Sequence, residues 1–123
     1  MEKINVKEKL NKFSEHWQPK IIGELNDSHI KVARLKGEFI WHHHESEDEM
    51  FYVIEGELKI YFRDRSVTLC ENEFIIVPRG VEHKPVAEQE VQVMLVEAKT
   101  TVNTGNVRNE RTVENPENLQ GPC

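Results

Sequence analysis

The chain carries three consecutive histidines, His42, His43 and His44, followed further along by Glu49 and His83. If the histidine segment is a β-strand, His42 and His44 project to one face and His43 to the other, because alternate side chains of a strand share a face. Three imidazoles and one carboxylate suit a first-row transition metal. We therefore take His42, His44, Glu49 and His83 as candidate ligands of one divalent ion, for which iron, manganese, nickel and zinc are all compatible.

A solvated loop in which the histidines cluster by accident is the alternative, since the acidic stretch 45–48 follows them directly. The Pro-Arg-Gly turn at 78–80 argues for a metal site. A rigid bend followed by a permissive one reverses the preceding strand, so that Val81, His83 and Pro85 share a face. We expect the acidic residues of 45–48 to be solvated rather than bound to the metal.

The apolar segment after the histidines places Glu49, Phe51 and Val53 on one face. Phe51 and Val53 then form an apolar wall beside the metal, which excludes water and strengthens the electrostatics of the site. Together with Tyr61, whose facing the pattern does not fix, they are our candidate residues for a substrate pocket. The sequence indicates no second catalytic group, because Ser-His-Asp and Cys-His patterns and a glycine-rich loop are lacking.

Short apolar segments separated by polar or glycine breaks position these residues. They are Ile21-Ile22, Ile30–Leu35, Met50–Ile54, Leu58–Phe62, Val67–Leu69, Phe74–Val77 and Val91–Val96. Segments of this length and spacing are typical of a β-sandwich or barrel, with hairpin connections predicted at 55–57 and 63–66. Segments 50–54 and 74–77 are apolar on both faces, so a second sheet, the helix or another subunit must cover one of them. For so short a chain we predict a homodimer.

The two ends of the chain differ from this middle part. An N-terminal helix is predicted from the cap residue Asn5 to Trp17, just before Pro19. The polar segment 99–123 is expected to be disordered or loosely draped. The alternative is an arm anchored on the barrel or on a partner chain by Val102, Val107, Val113 and Leu119. We therefore divide the chain into a helical segment (1–19), a β-barrel domain (20–98) and a polar tail (99–123).

Composition excludes several classes of function. The chain of 123 residues has a net charge of −6 and no stripe of Lys and Arg, which argues against nucleic-acid binding. Its apolar runs are far too short to cross a membrane, and no secretion signal opens the chain, so we expect a cytoplasmic protein. With two cysteines we expect no disulfide; Cys70 is predicted to be buried and Cys123 to be a free surface thiol.

Two stretches resemble the two motifs of the cupin family, in particular those of small single-domain cupins. The first runs from Gly37 to Gly56 and contains the histidines and Glu49, and the second runs from Asn72 to His83. The resemblance implies an all-β double-stranded β-helix, or jelly roll, with a metal inside the barrel. It also implies the ligand set His42, His44, Glu49 and His83.

Three positions depart from the family pattern. Only four residues separate Gly37 from His42, where the family has five. Asn72 stands where the second motif begins with glycine, and Ala87 stands where it ends with asparagine. None of these positions is a ligand in the family. Asparagine tolerates left-handed backbone, so we expect the turn at Asn72 to be preserved.

A metal held in this way has consequences for function. Four protein ligands leave about two positions open on an octahedral ion. With one carboxylate ligand the ion keeps a charge of about +1, which attracts anionic or chelating oxygen groups. A metal-dependent enzyme for a small oxygen-rich metabolite is therefore favoured, such as a dioxygenase, isomerase or decarboxylase. The alternatives are a non-catalytic cupin that binds or senses a small molecule or metal, and a metal-free cupin resembling sugar epimerases.

Overall fold

Seven short apolar segments form seven antiparallel β-strands, and one short helix precedes them. The structure, a computed structural model, describes residues 1–121. Its elements are α1 (Val6–Leu10), β1 (Lys20–Leu25), β2 (Ser28–Glu38), β3 (Glu49–Glu55), β4 (Leu58–Phe62), β5 (Ser66–Leu69), β6 (Phe74–Val77) and β7 (His83–Ala98). The prediction of an all-β jelly roll with one short N-terminal helix is confirmed. No helix within residues 1–121 has the length and apolar character needed to cross a membrane.

The long strand β7 holds the two halves of the barrel together. The strand order is β1-β2-β7-β3-β6, and β4 joins through β7 and carries β5 on its other side. The first residues of β7 pair with β4, from His83 opposite Phe62 to Val86 opposite Lys59. Its later residues lie between β2 and β3. The inward side chains of these strands enclose one apolar core, which includes Leu35, Phe51, Val53, Ile60 and Val93.

The connection 55–57 is not the hairpin that the sequence predicts, because β3 pairs with β6 and β7 and not with β4. It is a corner between the two halves of the barrel. Gly56 has φ 98° there, and a Cβ at this position would lie 3.0 Å from the carbonyl oxygen of Glu90. The connection 63–66 does join the paired strands β4 and β5, so the second hairpin prediction is confirmed.

The N-terminal helix is shorter than its sequence pattern predicts. Asn5 caps it as expected, with its Oδ1 accepting a hydrogen bond of 3.0 Å from the Glu8 amide. The helix ends at Leu10, however, and Trp17 has φ 63°. The Trp17 amide donates to the carbonyl of Arg34 instead, at 2.9 Å. The prediction of a helix reaching Trp17 is therefore wrong, because the barrel draws this residue into its own hydrogen bonding and core.

The polar tail lies along the barrel, as in the alternative of an anchored arm. The Ile21 amide donates to Glu117 at 2.9 Å, and the Leu119 amide donates to Ile21 at 2.8 Å. Lys9 is fully buried, and its ammonium donates to the carbonyls of Leu119 at 2.5 Å and Gly121 at 3.1 Å. Backbone hydrogen bonds to β1 thus order a segment that has no apolar periodicity of its own.

The two cysteines have different outcomes. Cys70 is exposed, so the prediction that it is buried is wrong. It follows the last residue of β5, and alternation turns its side chain outward while the preceding Leu69 points into the core. Cys123, predicted to be a free surface thiol, lies outside the described residues.

Candidate metal centre

The histidine segment is an extended connection between β2 and β3 and not a strand. It is fixed by one antiparallel bridge, in which the His42 amide donates to His83 at 3.1 Å and the His83 amide donates to His42 at 2.9 Å. The Gly80 amide also donates to the carbonyl of His44, at 2.7 Å. The two motifs are therefore joined through their backbones. Alternation holds without a ladder, since His42 and His44 are buried and His43 is only half-buried.

Four side chains converge at one point inside the barrel. His42, His44, Glu49 and His83 each place a ligand atom within 4.8 Å of the others, and all four residues are buried. Glu49 Oε1 lies 3.3 Å from His44 Nε2 and 3.5 Å from His83 Nε2. These are the four residues singled out from the sequence, and β3 and the start of β7 supply two of them.

Backbone carbonyls orient two of the imidazoles. The Nδ1 atom of His42 lies 2.9 Å from the Ile40 carbonyl, and that of His83 lies 2.9 Å from the Val81 carbonyl. A carbonyl only accepts, so Nδ1 carries the proton in each ring and the lone pair is on Nε2. This is the arrangement in which a histidine binds a metal through Nε2 while a second partner holds its ring.

Three buried atoms at the centre of this cluster have no hydrogen-bond partner among residues 1–121. They are His44 Nε2, Glu49 Oε1 and His83 Nε2. Buried polar atoms are normally paired, so a group of orphaned acceptors facing one point calls for a cation at that point. A divalent metal ion fits this donor set. His44 Nδ1 also lacks a partner within the described chain, so no neighbour fixes the tautomer of that ring.

Burial and neighbouring charges set the protonation of the cluster. Burial lowers the pKa of His42 to about 4, and the nearby His83 adds to the effect. Burial alone would raise the pKa of Glu49, but the surrounding side chains of Glu97, His44 and His83 outweigh it and hold this pKa well below its usual range. Neutral imidazoles beside an ionised carboxylate are the state that binds a metal ion.

Glu97 and Lys31 belong to the same interior, although neither was singled out from the sequence. Burial and the charge of Glu49 raise the pKa of Glu97 well above its usual range, against the opposing charge of Lys31. The Lys31 ammonium lies 2.9 Å from Glu97 Oε1. The alternation of the two strands indicates that both residues face inward. Lys31 shares a face with Ala33 and Leu35, and Glu97 shares a face with Val93 and Leu95.

A small cavity opens beside His42. Its free volume is about 30 Å³, and it is lined mainly by apolar and aromatic groups, with Glu49, Glu97 and Asn103 among its polar residues. Of the predicted pocket residues, Phe51 lines this cavity, and its ring centre lies 6.1 Å from that of His83. Val53 lies in the barrel core and is not part of the lining. Tyr61 faces a separate surface hollow beside Trp41 and Lys84.

Segments from both ends of the chain close the mouth of the barrel. The Trp17 ring stacks on Phe39 at 4.7 Å, and both line the cavity. From the tail, the Asn106 amide donates to the His43 carbonyl at 3.0 Å, and the His43 amide donates to Asn106 Oδ1 at 2.9 Å. The tail therefore packs directly on the histidine segment.

The acidic residues near the histidines take other partners. Glu45 is exposed, Glu47 accepts from Thr100 Oγ1 at 3.0 Å, and Asp48 Oδ1 accepts from the Arg79 amide at 2.9 Å. Asp48 thus holds the turn that precedes His83. None of the three belongs to the convergent group of four.

Comparison with known proteins gives consistent matches. Residues 31–99, more than half of the chain, match the family Cupin_2, described as cupin domain. The chain is 40% identical over 80 residues to Uncharacterized protein YdbB of Bacillus subtilis (strain 168), a match that covers 64% of this chain and 65% of that protein. The chain thus spans slightly less than two thirds of the length of this curated relative.

Two solved structures are similar in both sequence and fold. A cupin-2 domain containing protein from Shewanella frigidimarina NCIMB 400 is 45% identical with a TM-score of 0.77, and the match covers 78% of this chain and 94% of that one. Protein NMB1881 from Neisseria meningitidis is 33% identical with a TM-score of 0.73, covering 80% of this chain and 100% of that one. Since family motifs, sequence identity and barrel agree over most of its length, the chain belongs to the cupin family.

Proposed function

We propose that this cupin binds one divalent transition metal ion through His42, His44, Glu49 and His83. The observation that carries the proposal is the convergence of three buried, orphaned acceptor atoms on one point. Iron, manganese, nickel and zinc all accept nitrogen and carboxylate ligands of this kind. The neutral state of His42 near pH 7 supports it, because an imidazole must be deprotonated to bind a metal.

We further propose that the metal-loaded protein is an enzyme for a small, oxygen-rich metabolite that is anionic or chelating, in the manner of a dioxygenase, isomerase or decarboxylase. The bound ion would supply Lewis-acid or redox chemistry. The chain supplies a small, largely apolar cavity next to His42, lined in part by Phe39 and Phe51. Glu49 offsets part of the charge of the ion and leaves a net attraction for anions.

A non-catalytic role in binding or sensing a small molecule or metal is the second candidate. The size of the cavity favours binding of the metal itself, because about 30 Å³ admits a water molecule but not a metabolite unless the surrounding segments move. Ligand-induced thermal stabilisation without turnover would favour this role. No feature of the site favours the metal-free, epimerase-like alternative. The ligand atoms of His42, His44, Glu49 and His83 lie within 4.8 Å of one another, as in a site for a metal ion.

Elemental analysis tests metal binding. Protein purified without chelators or nickel columns is expected to contain about one metal ion per chain, since the four ligands form one site. The variants His42→Ala and Glu49→Ala should lose most of it. His43→Ala is the matched control, because His43 is adjacent but its side chain lies outside the convergent group. Absence of metal from the parent, even after incubation with iron, manganese, nickel and zinc salts, would refute the proposal.

Activity is tested separately from metal content. Metal-loaded parent protein is screened against keto acids, enols and sugars for turnover or oxygen uptake, with Glu49→Ala as the negative control. Turnover by the parent alone supports the enzyme. Silence of the loaded protein together with ligand-dependent stabilisation would support the binding role instead.

We also propose that the protein forms a homodimer through the outer face of β3 and β6. Phe74 and Ile76 are 57% and 55% exposed on the edge strand β6. They lie opposite Tyr52 and Met50 in β3, so these four side chains form one apolar strip. Helix α1 covers the outer face of β2, where Leu10 of the helix and Val32 of the strand belong to one apolar cluster. The helix does not extend to the strip on β3 and β6. Exposed apolar strips of this kind mark association surfaces.

A further inference from the structure

We propose that Lys31 and Glu97 form a buried positioning pair that holds the Glu49 carboxylate in place for metal binding. The inference rests on the proposed metal site and adds two residues to it. Neither residue belongs to the convergent group of four. Both are positioning residues, because they act through Glu49 and do not touch the metal position themselves.

Three neighbouring strands bring the three side chains together. Glu97 of β7 is the register partner of Glu49 in β3. Lys31 of β2 lies opposite Leu95, which is two positions before Glu97 and on the same face of β7. Such direct and diagonal positions are the ones at which cross-strand side chains meet. Their side chains are almost inaccessible to solvent, at 3% for Lys31, 1% for Glu97 and 5% for Glu49.

Glu97 lies between Lys31 and Glu49. Its Oε1 accepts from the Lys31 ammonium at 2.9 Å. Its Oε2 is buried and has no hydrogen-bond partner among residues 1–121. Glu97 is the register partner of Glu49, and both residues line the same small cavity. Glu97 is therefore held on one side by a buried cation and lies beside the proposed metal ligand on the other.

Fold stability does not account for this arrangement. Replacing a buried ion pair by apolar residues of similar volume is often neutral or stabilising. The surrounding positions on the same faces, Ala33, Leu35, Val93 and Leu95, are all apolar. Polar groups that break such a pattern mark functional positions. We infer that the position of Glu97 beside Glu49 supplies the function, because Glu97 there restricts the rotamers of Glu49 and keeps Oε1 on the side of His44 and His83.

Metal affinity in matched variants tests the inference. In the double variant Lys31→Met/Glu97→Leu, apolar side chains replace the pair without leaving a buried charge. We expect its metal dissociation constant to rise by ~10–100-fold, the effect typical of lost support for a metal ligand. The melting temperature of the metal-free protein should stay close to that of the parent, because the core remains filled. Affinity is measured by competition with a chromophoric chelator.

Two further variants separate positioning from general loosening. Glu97→Gln keeps the shape, an acceptor for Lys31 and a donor for Glu49, so its affinity should stay within ~3-fold of the parent. Val93→Ala opens a cavity on the same face of β7 without touching Glu49 and should lower the melting temperature while sparing affinity.

If the double variant does not fold, Glu97→Asp takes its place, because one methylene less withdraws the carboxyl from Glu49 and should weaken binding in the same way.

The outcomes distinguish this inference from the proposed function. If the parent binds metal and the double variant, or Glu97→Asp in its place, binds it equally well, the positioning role is refuted and the metal site stands. If Val93→Ala loses as much affinity as the double variant, loosening of the barrel explains the effect and the inference fails. If the parent binds none of the four metals, the proposed function itself has failed.

Discussion

At the scale of single residues, the site depends on a buried imidazole that stays neutral. Burial lowers the pKa of His42 from 6.5 to about 4. Its Nδ1 is committed to the Ile40 carbonyl, so the neutral ring directs its Nε2 lone pair to the site. The His42 imidazole is therefore neutral, and able to bind a metal ion, at any pH well above 4.

The same property makes the metal-free protein sensitive to acid. The unfolded chain takes up a proton on His42 near pH 6.5 and the folded one only near pH 4, so stability is full above pH 6.5 and falls between these values. The difference corresponds to about 3 kcal/mol at the low end of this range. Urea unfolding of chelator-treated protein at several pH values between 7 and 4 measures it.

In this experiment His42→Gln serves as the comparison, since glutamine does not titrate. We expect the variant to show a shallower loss of stability between pH 6.5 and 4 than the parent. Equal slopes in the two proteins would mean that His42 does not remain neutral in the folded state.

Sequence reasoning reached some residues of the site and missed others. His42, His44, Glu49 and His83 stand out because four strong ligands occur at motif spacing, and the structure brings these four together. Lys31 and Glu97 are single charged residues in or beside apolar strands; alternation places each on the face of its apolar neighbours, but it does not show that the two charges meet. Their partnership becomes visible only when β2, β7 and β3 are placed side by side.

At the scale of elements, the extended histidine segment is held by its neighbours and not by a strand ladder. The bridge to His83 fixes one side of it, and the tail around Gly105 and Asn106 fixes the other. Gly105 has φ 58°, and a Cβ there would overlap the His43 carbonyl oxygen and lie 2.9 Å from its carbon. Only glycine allows the tail to approach this closely.

Substitution of Gly105 should therefore detach the tail from the site. In Gly105→Ala we expect the Asn106 amide to exchange with deuterium at least ~10-fold faster, because its hydrogen bond to His43 is lost when the tail opens. Hydrogen exchange with fragment separation measures this. Gly37→Ala is the control: Gly37 has φ 86°, but a Cβ there meets nothing within 4 Å. Unchanged protection of Asn106 in Gly105→Ala would contradict the close packing.

Strands were easier to predict than the other elements, for a physical reason. A short apolar segment between polar or glycine breaks is a local pattern, and such segments located each of the seven strands at least in part. The first half of β7 was missed, because charged and polar residues at 84 and 88–90 interrupt the buried His83, Pro85 and Ala87. The tail and the end of the helix depend on long-range contacts, with Ile21 and Arg34 respectively, which no window of sequence contains.

At the scale of the whole molecule, we expect the apolar strip of Met50, Tyr52, Phe74 and Ile76 to mediate association. We expect light scattering to give about twice the chain mass of 14.4 kDa, since an uncovered sheet face favours a two-fold interface. Ile76→Lys should shift the protein to the monomer. Leu25→Lys is the matched control, because Leu25 is 59% exposed but lies in β1. A parent protein of 14.4 kDa in solution would refute the dimer.

The buried ammonium of Lys9 connects the N-terminal helix to the C-terminal tail. Its carbonyl partner Leu119 is 110 positions away, so this closure is among the least local contacts of the fold and is expected to form late in folding. Cleavage between residues 112 and 118 by a protease would leave a cation stranded in an apolar surrounding. We expect helix α1 to come loose together with the severed segment, so that damage at one terminus is transmitted to the opposite one.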